Sequence, residues 1–487
     1  MQRTIARHKT AIARSDLSRP VQLALSDGLV NDGTPLFDYG CGQGGDLTRL
    51  NDMGIPASGW DPVHASDGAL KKASVVNLGY VVNVIEDPVE RQEALQKAWS
   101  LAEKVLIVSA RLTTETKALG NTTEFADGCL TSRGTFQKFY EQHELKTWIE
   151  QSLETPALPA GPGVFYVFRD EQARFTFQSS RYRRKIAAPR RSRSVELFNQ
   201  HEDLLTPLMS FVTERGRLPE DDELENTPEL HEVFGSTKRA FRTVQLATSK
   251  EQWEEIVKER AQELLIYLAL SQFDGRPKYS HLPRDLQLDV RSFFSRYTNA
   301  CQQADELLYS IGNIERINDA CTESNLGKVL PSALYIHDTA LDQLSPVLRL
   351  YEGCARGLIG RVDGANLIKL DRTEPKISYL CYPDFETDPH PALSLSVTVH
   401  LQTFRVKYRN YRHHRNPPIL HRKETFLASD HPLYEKFTRL TRIEESKGLY
   451  EETSTIGTRD GWNEALDAKG YYFRGHRLLR QPADNPE

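Results

Sequence analysis

The stretch Leu36-Phe37-Asp38-Tyr39-Gly40-Cys41-Gly42-Gln43-Gly44-Gly45-Asp46 constrains this chain more than any other. An apolar pair leads into an acid, and four glycines then fall within six residues. Leu47 and Leu50 follow at helical spacing, and Gly54 stands where that helix would end. The pattern predicts a strand, a tight turn and a helix. Glycines at such a turn let the backbone pass close to a ligand, and the helix start presents free N–H groups. A nucleotide-like cofactor is the expected occupant.

The residues that follow continue the alternation. Ala57 to Trp60 reads as a second strand closing on Asp61-Pro62, and Ser74 to Ile85 as a buried strand followed by a short apolar segment. Asp87-Pro88-Val89-Glu90 reads as a helix start, with Asp87 as N-cap, Pro88 as first helical residue and Glu90 as capping-box partner. Leu95, Ala98, Trp99 and Ala102 would share one face of that helix. Lys104 to Ser109 is the next buried strand, the second half of 128–153 looks helical, and Gly163 to Phe168 looks like a last strand. The order predicts an α/β fold, a Rossmann-like domain over residues 1–170 with a parallel sheet.

With 487 residues the chain has room for further domains. Residues 171–195 are expected to be a basic linker. Arg181 to Arg193 holds seven Lys or Arg, Arg183 and Arg184 among them, and no acid. Such runs are commonly solvated; the alternative is a strap that tracks phosphates. Residues 196–330 look helical. Two short helices around Gly235-Ser236 suggest a helix-turn-helix with Lys238, Arg239 and Arg242 on its second helix, and 251–271 is a strongly amphipathic helix. Residues 331–487 read as an α+β domain, with strands near Leu334 to His337 and Ala392 to Leu401.

Composition excludes several classes. At 39% hydrophobic and 26% charged, the chain looks like a globular protein without a membrane span or secretory signal. Its six cysteines are scattered and none forms a C-x-x-C pair, so reduced thiols in a cytoplasmic setting are expected and a zinc site is not.

The glycine motif itself narrows the cofactor. Gly40, Gly42 and Gly45 keep the G-x-G-x-x-G spacing of dinucleotide enzymes, but Asp46 follows directly at the expected helix start, and an acid there repels a pyrophosphate. Asp61 stands about 20 residues on, where an acid meets ribose hydroxyls. S-adenosylmethionine carries no phosphate and is cationic, so acidic neighbours suit it.

The blocks FDYGCGQGGD, GWDP and VVNLGYVVNVIEDPVERQEAL resemble motifs of class I S-adenosylmethionine-dependent methyltransferases. More narrowly, RHKTAIARSDLSRPVQLAL, NLGYVVNVIEDPVER, YPDF with DPHPAL, NPPILHRKETF and IGTRDGW resemble the DNA phosphorothioation-associated methyltransferases, across almost the whole chain. That resemblance implies a bacterial protein in a DNA-modification or defence setting, and partners from such systems; it supplies no substrate. Carried over, the class I pattern implies cofactor contacts from Asp38, Gly40, Gly42, Gly44 and Asp61, with Asn77 and Leu78 flanking the adenosine or methionine side. One departure stands out. Only a dozen residues separate Asp61 from Ser74, too few for a helix and third strand. The usual adenine-contacting acid is therefore missing or replaced, with Asp67 as one replacement.

DNA amino-methyltransferases carry (D/N)-P-P-Y after the fourth strand, where a polar group and an aromatic hold a flipped base. Asn77-Leu78-Gly79-Tyr80 has that place and a terminal Tyr but no prolines, so Asn77 and Tyr80 are the catalytic candidates. A core role for Tyr80 is an equally good reading. Asn416-Pro417-Pro418-Ile419 reads as a turn. Arg405 to Lys423 holds seven Lys or Arg and three His without an acid, interleaved with Tyr408 and Tyr411. On an alternating strand Arg405, Lys407 and Arg409 would share one face and track a nucleic-acid strand. The expectation is therefore a methyltransferase acting on nucleic acid, DNA before RNA. Its rivals are a non-catalytic accessory protein and an enzyme for small molecules or proteins.

Overall fold

Leu36–Tyr39 forms strand β1, flanked by the helix α1 (Arg19–Ser26) and followed through the glycine turn by α2 (Gly45–Asp52). Strands β2 (Ala57–Trp60), β3 (Ala73–Gly79) and β4 (Ala102–Ser109), with α3 (Pro88–Leu101) between the last two, complete a parallel set. This is a computed structural model, and it describes residues 5–11, 16–119, 122–184, 186–190 and 195–481. A three-stranded antiparallel sheet, β5 (Thr122–Phe125), β6 (Gly128–Thr131) and β7 (Phe136–Gln137), precedes α4 (Gln142–Leu153). Strands β8 (Ala157–Gly161) and β9 (Val164–Phe168) then return to the main sheet. Its order is β2-β1-β3-β4-β9-β8, with β9 antiparallel to both neighbours.

The order reverses between β1 and β3, which places a crevice beyond their carboxyl ends, where open α/β sheets bind ligands. Leu36, Phe37, Val76, Leu78, Leu106 and Phe165 are buried in the sheet. Two local expectations change. Asp87 caps α3 by accepting from Val89 N–H at 2.8 Å, but Glu90 turns to Arg7 instead of closing a capping box. Ala102 begins β4 rather than ending the helical face. Residues 61–72 form a tight turn with no helix or strand, and buried Arg91 braces the loop after β3 by donating to Ile85 O at 2.8 and 3.1 Å and to Asp127 at 2.7 Å.

By its internal contacts the chain divides into two compact units, 171–324 with 341–351 and the remainder. The smaller unit is helical: α5 (Glu171–Ser180), α6 (Glu196–Gln200), α7 (Glu202–Arg215), α8 (Thr227–Phe234), α9 (Thr237–Ala247), α10 (Lys250–Leu270), α11 (Arg284–Phe294), α12 (Tyr297–Ser310) and α13 (Ile314–Thr322). Helix α5 occupies much of the expected linker. Gly235 and Ser236 do separate two helices, Ser236 capping α9, with Lys238, Arg239 and Arg242 exposed. Helix α10 buries Trp253, Ile256, Leu264 and Leu268, as its period predicts, while Val257 stays exposed.

Residues 331–487 do not stand apart as a third domain; nearly all join the compact unit of the first 170. Strands β10 (Lys328–Leu330), β11 (Ala333–His337), β12 (Leu367–Asp371), β13 (Lys376–Cys381), β14 (Leu395–His400) and β15 (Val406–Asn410) pair in sequence order as an antiparallel meander. Helices α14 (Pro346–Ile359), α15 (Tyr434–Ser446) and α16 (Arg459–Lys469) and the hairpin β16 (Tyr471–Arg474) and β17 (Arg477–Arg480) complete the chain. Arg361 N–H donates to Ala160 O of β8 at 2.8 Å, and the Arg361 guanidinium to Asp27 at 2.9 Å. Arg19 pairs with Asp363 at 2.7 Å, and Tyr408 of β15 packs on the core of the first sheet. Asn416 accepts from Asp460 N–H, the work of a turn residue. Among the described residues no helix is long and apolar enough to cross a membrane.

Candidate active site

A cavity of about 930 Å³ opens in the crevice beyond β1 and β3. The glycine turn forms one wall. Gly40 and Gly42 hold positive φ, +87° and +52°, and a Cβ on Gly40 would lie 2.5 Å from Val81 Cγ2. Only glycine lets the chain turn this tightly against the loop after β3. Gly40 N–H donates to Trp60 O at 2.7 Å, tying the turn to the end of β2.

Asp38 and Asn77 sit side by side on β1 and β3, in register, both buried. Asn77 Nδ2 donates to Asp38 Oδ1 at 2.8 Å. Asn77 Oδ1 has no protein partner, and a buried acceptor in that state is a ready receiver for a ligand N–H. Gly79 leaves room for this amide, since a Cβ there would stand 2.8 Å from Nδ2. Asp61 lines the cavity too, and accepts Gly42 N–H at 3.0 Å, Val63 N–H at 2.9 Å and His64 N–H at 2.8 Å. It thereby shapes both the glycine turn and the short turn after β2. Tyr80, at φ +60°, stands at the rim, its N–H donating to Ser109 O.

The expected residues do not all converge. Asp38, Gly40, Gly42, Asp61, Asn77 and Tyr80 line the cavity, whereas Gly44 and Leu78 do not. Gly44 is the left-handed N-cap of α2, and strand alternation turns Leu78 into the core opposite Asn77. Asp67 lies outside the lining as well. Cys41 is at the site, but burial first, then Asp38 and Asp61, push its thiol up to about 12, so it stays protonated.

The basic segment Arg7-His8-Lys9, which the sequence allows as a solvated face or as the mouth of the site, belongs to a strap over this cavity, which Arg7, Thr10 and Ala11 line. Ala6 N–H donates to Gly134 O at 3.0 Å, and Arg7 grips Glu90 at 2.6 and 2.7 Å and Glu86 at 2.9 Å. Ala11 lies against Gly42, where a glycine Cβ would meet it at 3.2 Å. In the sequence this grip shows only as Arg7 near the start and two acids four apart in the α3 entry. Arg7 is thus a latch, not a free cation. Ser18 N–H donates to Asp46 at 2.7 Å, so Asp46 holds α1 beside the turn. Trp60 and Tyr39 meet at a tilt, ring centroids 5.1 Å apart, and add an aromatic wall.

Of the expected nucleic-acid contacts, Arg405, Lys407 and Arg409 lie exposed on or beside the edge strand β15, and no ion pair engages them among the described residues. Arg183 and Arg184 are a different case. Arg184 pairs with Glu259 at 2.8 Å, and Arg183 lies 3.7 Å from Glu214 and 3.8 Å from Asp289, inside the helical unit. Those two serve the packing of that unit. Lys185, Arg191 and Arg193 of the same run lie outside the described residues.

The main sheet and the cavity at its switch point define a Rossmann-like α/β fold. No family profile matches the chain, and no curated protein matches it. Several solved structures are similar over about a third of it. The sugar N-methyltransferase KedS8 from Streptoalloteichus sp ATCC 53650 shares 12% identity over 32% of this chain and 88% of its own, with a TM-score of 0.26. The CcbJ methyltransferase from Streptomyces caelestis shares 11% over 33% and 93%, with a TM-score of 0.24. The magnesium protoporphyrin IX methyltransferase from Synechocystis PCC 6803 shares 12% over 34% and 93%, with a TM-score of 0.22.

Proposed function

We propose that the chain is an S-adenosylmethionine-dependent methyltransferase that acts on nucleic acid, DNA before RNA. The observation that carries this reading is the cavity at the switch point, with a glycine turn on one side and the Asp38–Asn77 pair at its base. Its charge suits a cationic, phosphate-free cofactor: once Arg7 and Glu90 are set aside as a pair, Asp38, Asp46, Asp52, Asp61 and Glu93 line it against Arg49 and Lys97. The orphaned Asn77 Oδ1 at the base of the cavity fits such a group. Bound there, S-adenosylmethionine supplies an electrophilic methyl group on a sulfonium. The protein's part is to hold it, exclude water and present the acceptor in line, which calls for no nucleophilic side chain.

The nucleic-acid part rests on β15. Arg405, Lys407 and Arg409 alternate on one exposed face, while Tyr408 between them packs on the core of the first sheet. The basic face therefore belongs to the same compact unit as the cavity. A bacterial, cytoplasmic DNA-modification or defence setting is part of the proposal, supported by the sequence blocks FDYGCGQGGD and NLGYVVNVIEDPVER and by six scattered cysteines without a C-x-x-C pair.

Calorimetry with S-adenosylmethionine on wild type and Gly42→Arg tests the site. The expected outcome is binding by wild type and none by the variant; no binding by wild type removes the cofactor claim. Incubation with tritiated cofactor and DNA, tRNA or protein then reads the acceptor. Label in DNA is expected. Label in none of them favours an accessory role, and label in protein alone overturns the acceptor.

A further inference from the structure

A second cavity, about 390 Å³, adjoins the first, and Thr10, Ser18, Tyr80 and Val84 line both. Its wall is unusually polar: Asn83, Gln137, Ser18, Arg111 and Glu115 all contribute. Asn83 is 1% exposed and is held on two sides. Its backbone O accepts Lys138 N–H at 2.8 Å, and its Nδ2 donates to Gln137 Oε1 at 3.0 Å. These bonds fix the amide and leave Asn83 Oδ1 buried with no partner. Ser18 Oγ, buried as the N-cap of α1, makes no cap bond and has no partner either. These two unpartnered polar atoms belong to residues that line one cavity, where a ligand can supply the missing partners.

We propose that this second cavity receives a nucleobase bearing an exocyclic amine, with Asn83 Oδ1 accepting one amine hydrogen and Arg111 meeting the attached phosphate. This rests on the methyltransferase reading above and names its acceptor. A carbonyl oxygen held as an acceptor selects N–H over C=O on the ligand edge. Glu115 also lines the cavity, its Oε1 held by Leu112 N–H at 3.0 Å. Arg111 has no ion pair among the described residues, whereas the other guanidinium at this wall, Arg19, is paired with Asp363, so Arg111 is the cation available to a phosphate. Tyr80 stands at the junction of the two cavities and lines both. Asn83 acts here as a positioning residue for the acceptor base.

The test is fluorescence anisotropy with short labelled single-stranded oligothymidines carrying one central base. The four probes carry adenine, purine without the amine, cytosine, or 2-pyrimidinone. Wild type is expected to bind the amino base about five- to tenfold more tightly than its amine-free partner in at least one pair, the worth of one hydrogen bond to a buried acceptor. Asn83→Ala should lose that preference. Asn83→Asp should retain it, since a carboxylate still accepts and the Gln137 amide can turn to donate. Arg111→Ala should weaken all four probes alike and flatten the salt dependence. Absence of an amine preference in wild type, its survival in Asn83→Ala, or failure to bind any probe overturns the proposal. Calorimetry with S-adenosylmethionine on wild type keeps the two readings distinguishable. Lost cofactor binding with an intact amine preference refutes the methyltransferase reading alone, and the reverse refutes the acceptor site alone.

Discussion

At the scale of single residues, this protein places several polar groups where water cannot reach them and uses each for a definite bond. Lys423 is the extreme case. It is 2% exposed, and its Nζ donates to Phe385 O at 2.6 Å and Asp388 O at 2.5 Å while lying over the Phe437 ring at 3.9 Å. Burial pushes its ammonium down to about 7. An unfolded lysine titrates near 10.4, so between about 7 and about 10 the unfolded chain binds the extra proton and stability rises with pH. Below about 7 the buried amine is charged in both states and that gain is absent. Lys423→Met leaves two buried carbonyls without their donor, which costs about 1–3 kcal/mol. It also removes the pH slope. Thermal melts of both proteins at about pH 6 and about pH 9 should show the larger deficit at the higher pH; an equal deficit would refute the assignment.

At the scale of elements, the strap over residues 5–11 and the edge strand β15 each carry a prediction. The strap is held at one point by the Ala6–Gly134 bond and at another by Arg7 on α3. Arg7→Met removes a partly exposed ion-pair network worth about 1 kcal/mol. Global stability should change little, while hydrogen exchange at the Ala6 amide accelerates and S-adenosylmethionine binds several-fold more weakly, about that same 1 kcal/mol. Unchanged exchange would show that the latch is not what holds the strap. For β15, alanine at Arg405, Lys407 and Arg409 together should abolish salt-sensitive retention on DNA without lowering the melting temperature, because all three side chains are solvated. Unaltered retention would move the nucleic-acid surface elsewhere.

At the scale of the whole molecule, the unit that carries both sheets is joined through a close backbone crossing. Gly360, at φ +71°, passes β8 so tightly that a Cβ there would lie 2.3 Å from Gly161 N. Arg361 then bonds Ala160 O and Asp27, and Asp363 takes Arg19. The C-terminal sheet is fastened to the first sheet by main chain, not by surface side chains alone. Gly360→Ala should therefore destabilise the unit by about 1–3 kcal/mol, as overpacking does, with some added strain from the backbone. Differential scanning calorimetry should show both sheets melting in one transition in wild type. A variant that melts like wild type would mean the crossing is not tight.

What the sequence determined by itself is local. The bounds of β1 and β2, the Asp87 cap, the glycine turn and the α10 stripe all follow from neighbours a few residues apart, where propensity and period act directly. Even the missing helix between Asp61 and Ser74 could be counted from chain length. What only the tertiary structure decided depends on residues far apart. Arg7 meets Glu90 across 83 positions, and Asn83 meets Gln137 across 54, and no periodicity records either encounter. Strand β8, spelled Ala-Leu-Pro-Ala-Gly, carries weak strand propensity and forms because β9 and the Gly360 crossing cover it. The same holds for function. The glycine turn announces a ligand, but which polar atoms are left without partners beside it is settled only once every other hydrogen bond in the fold has been made.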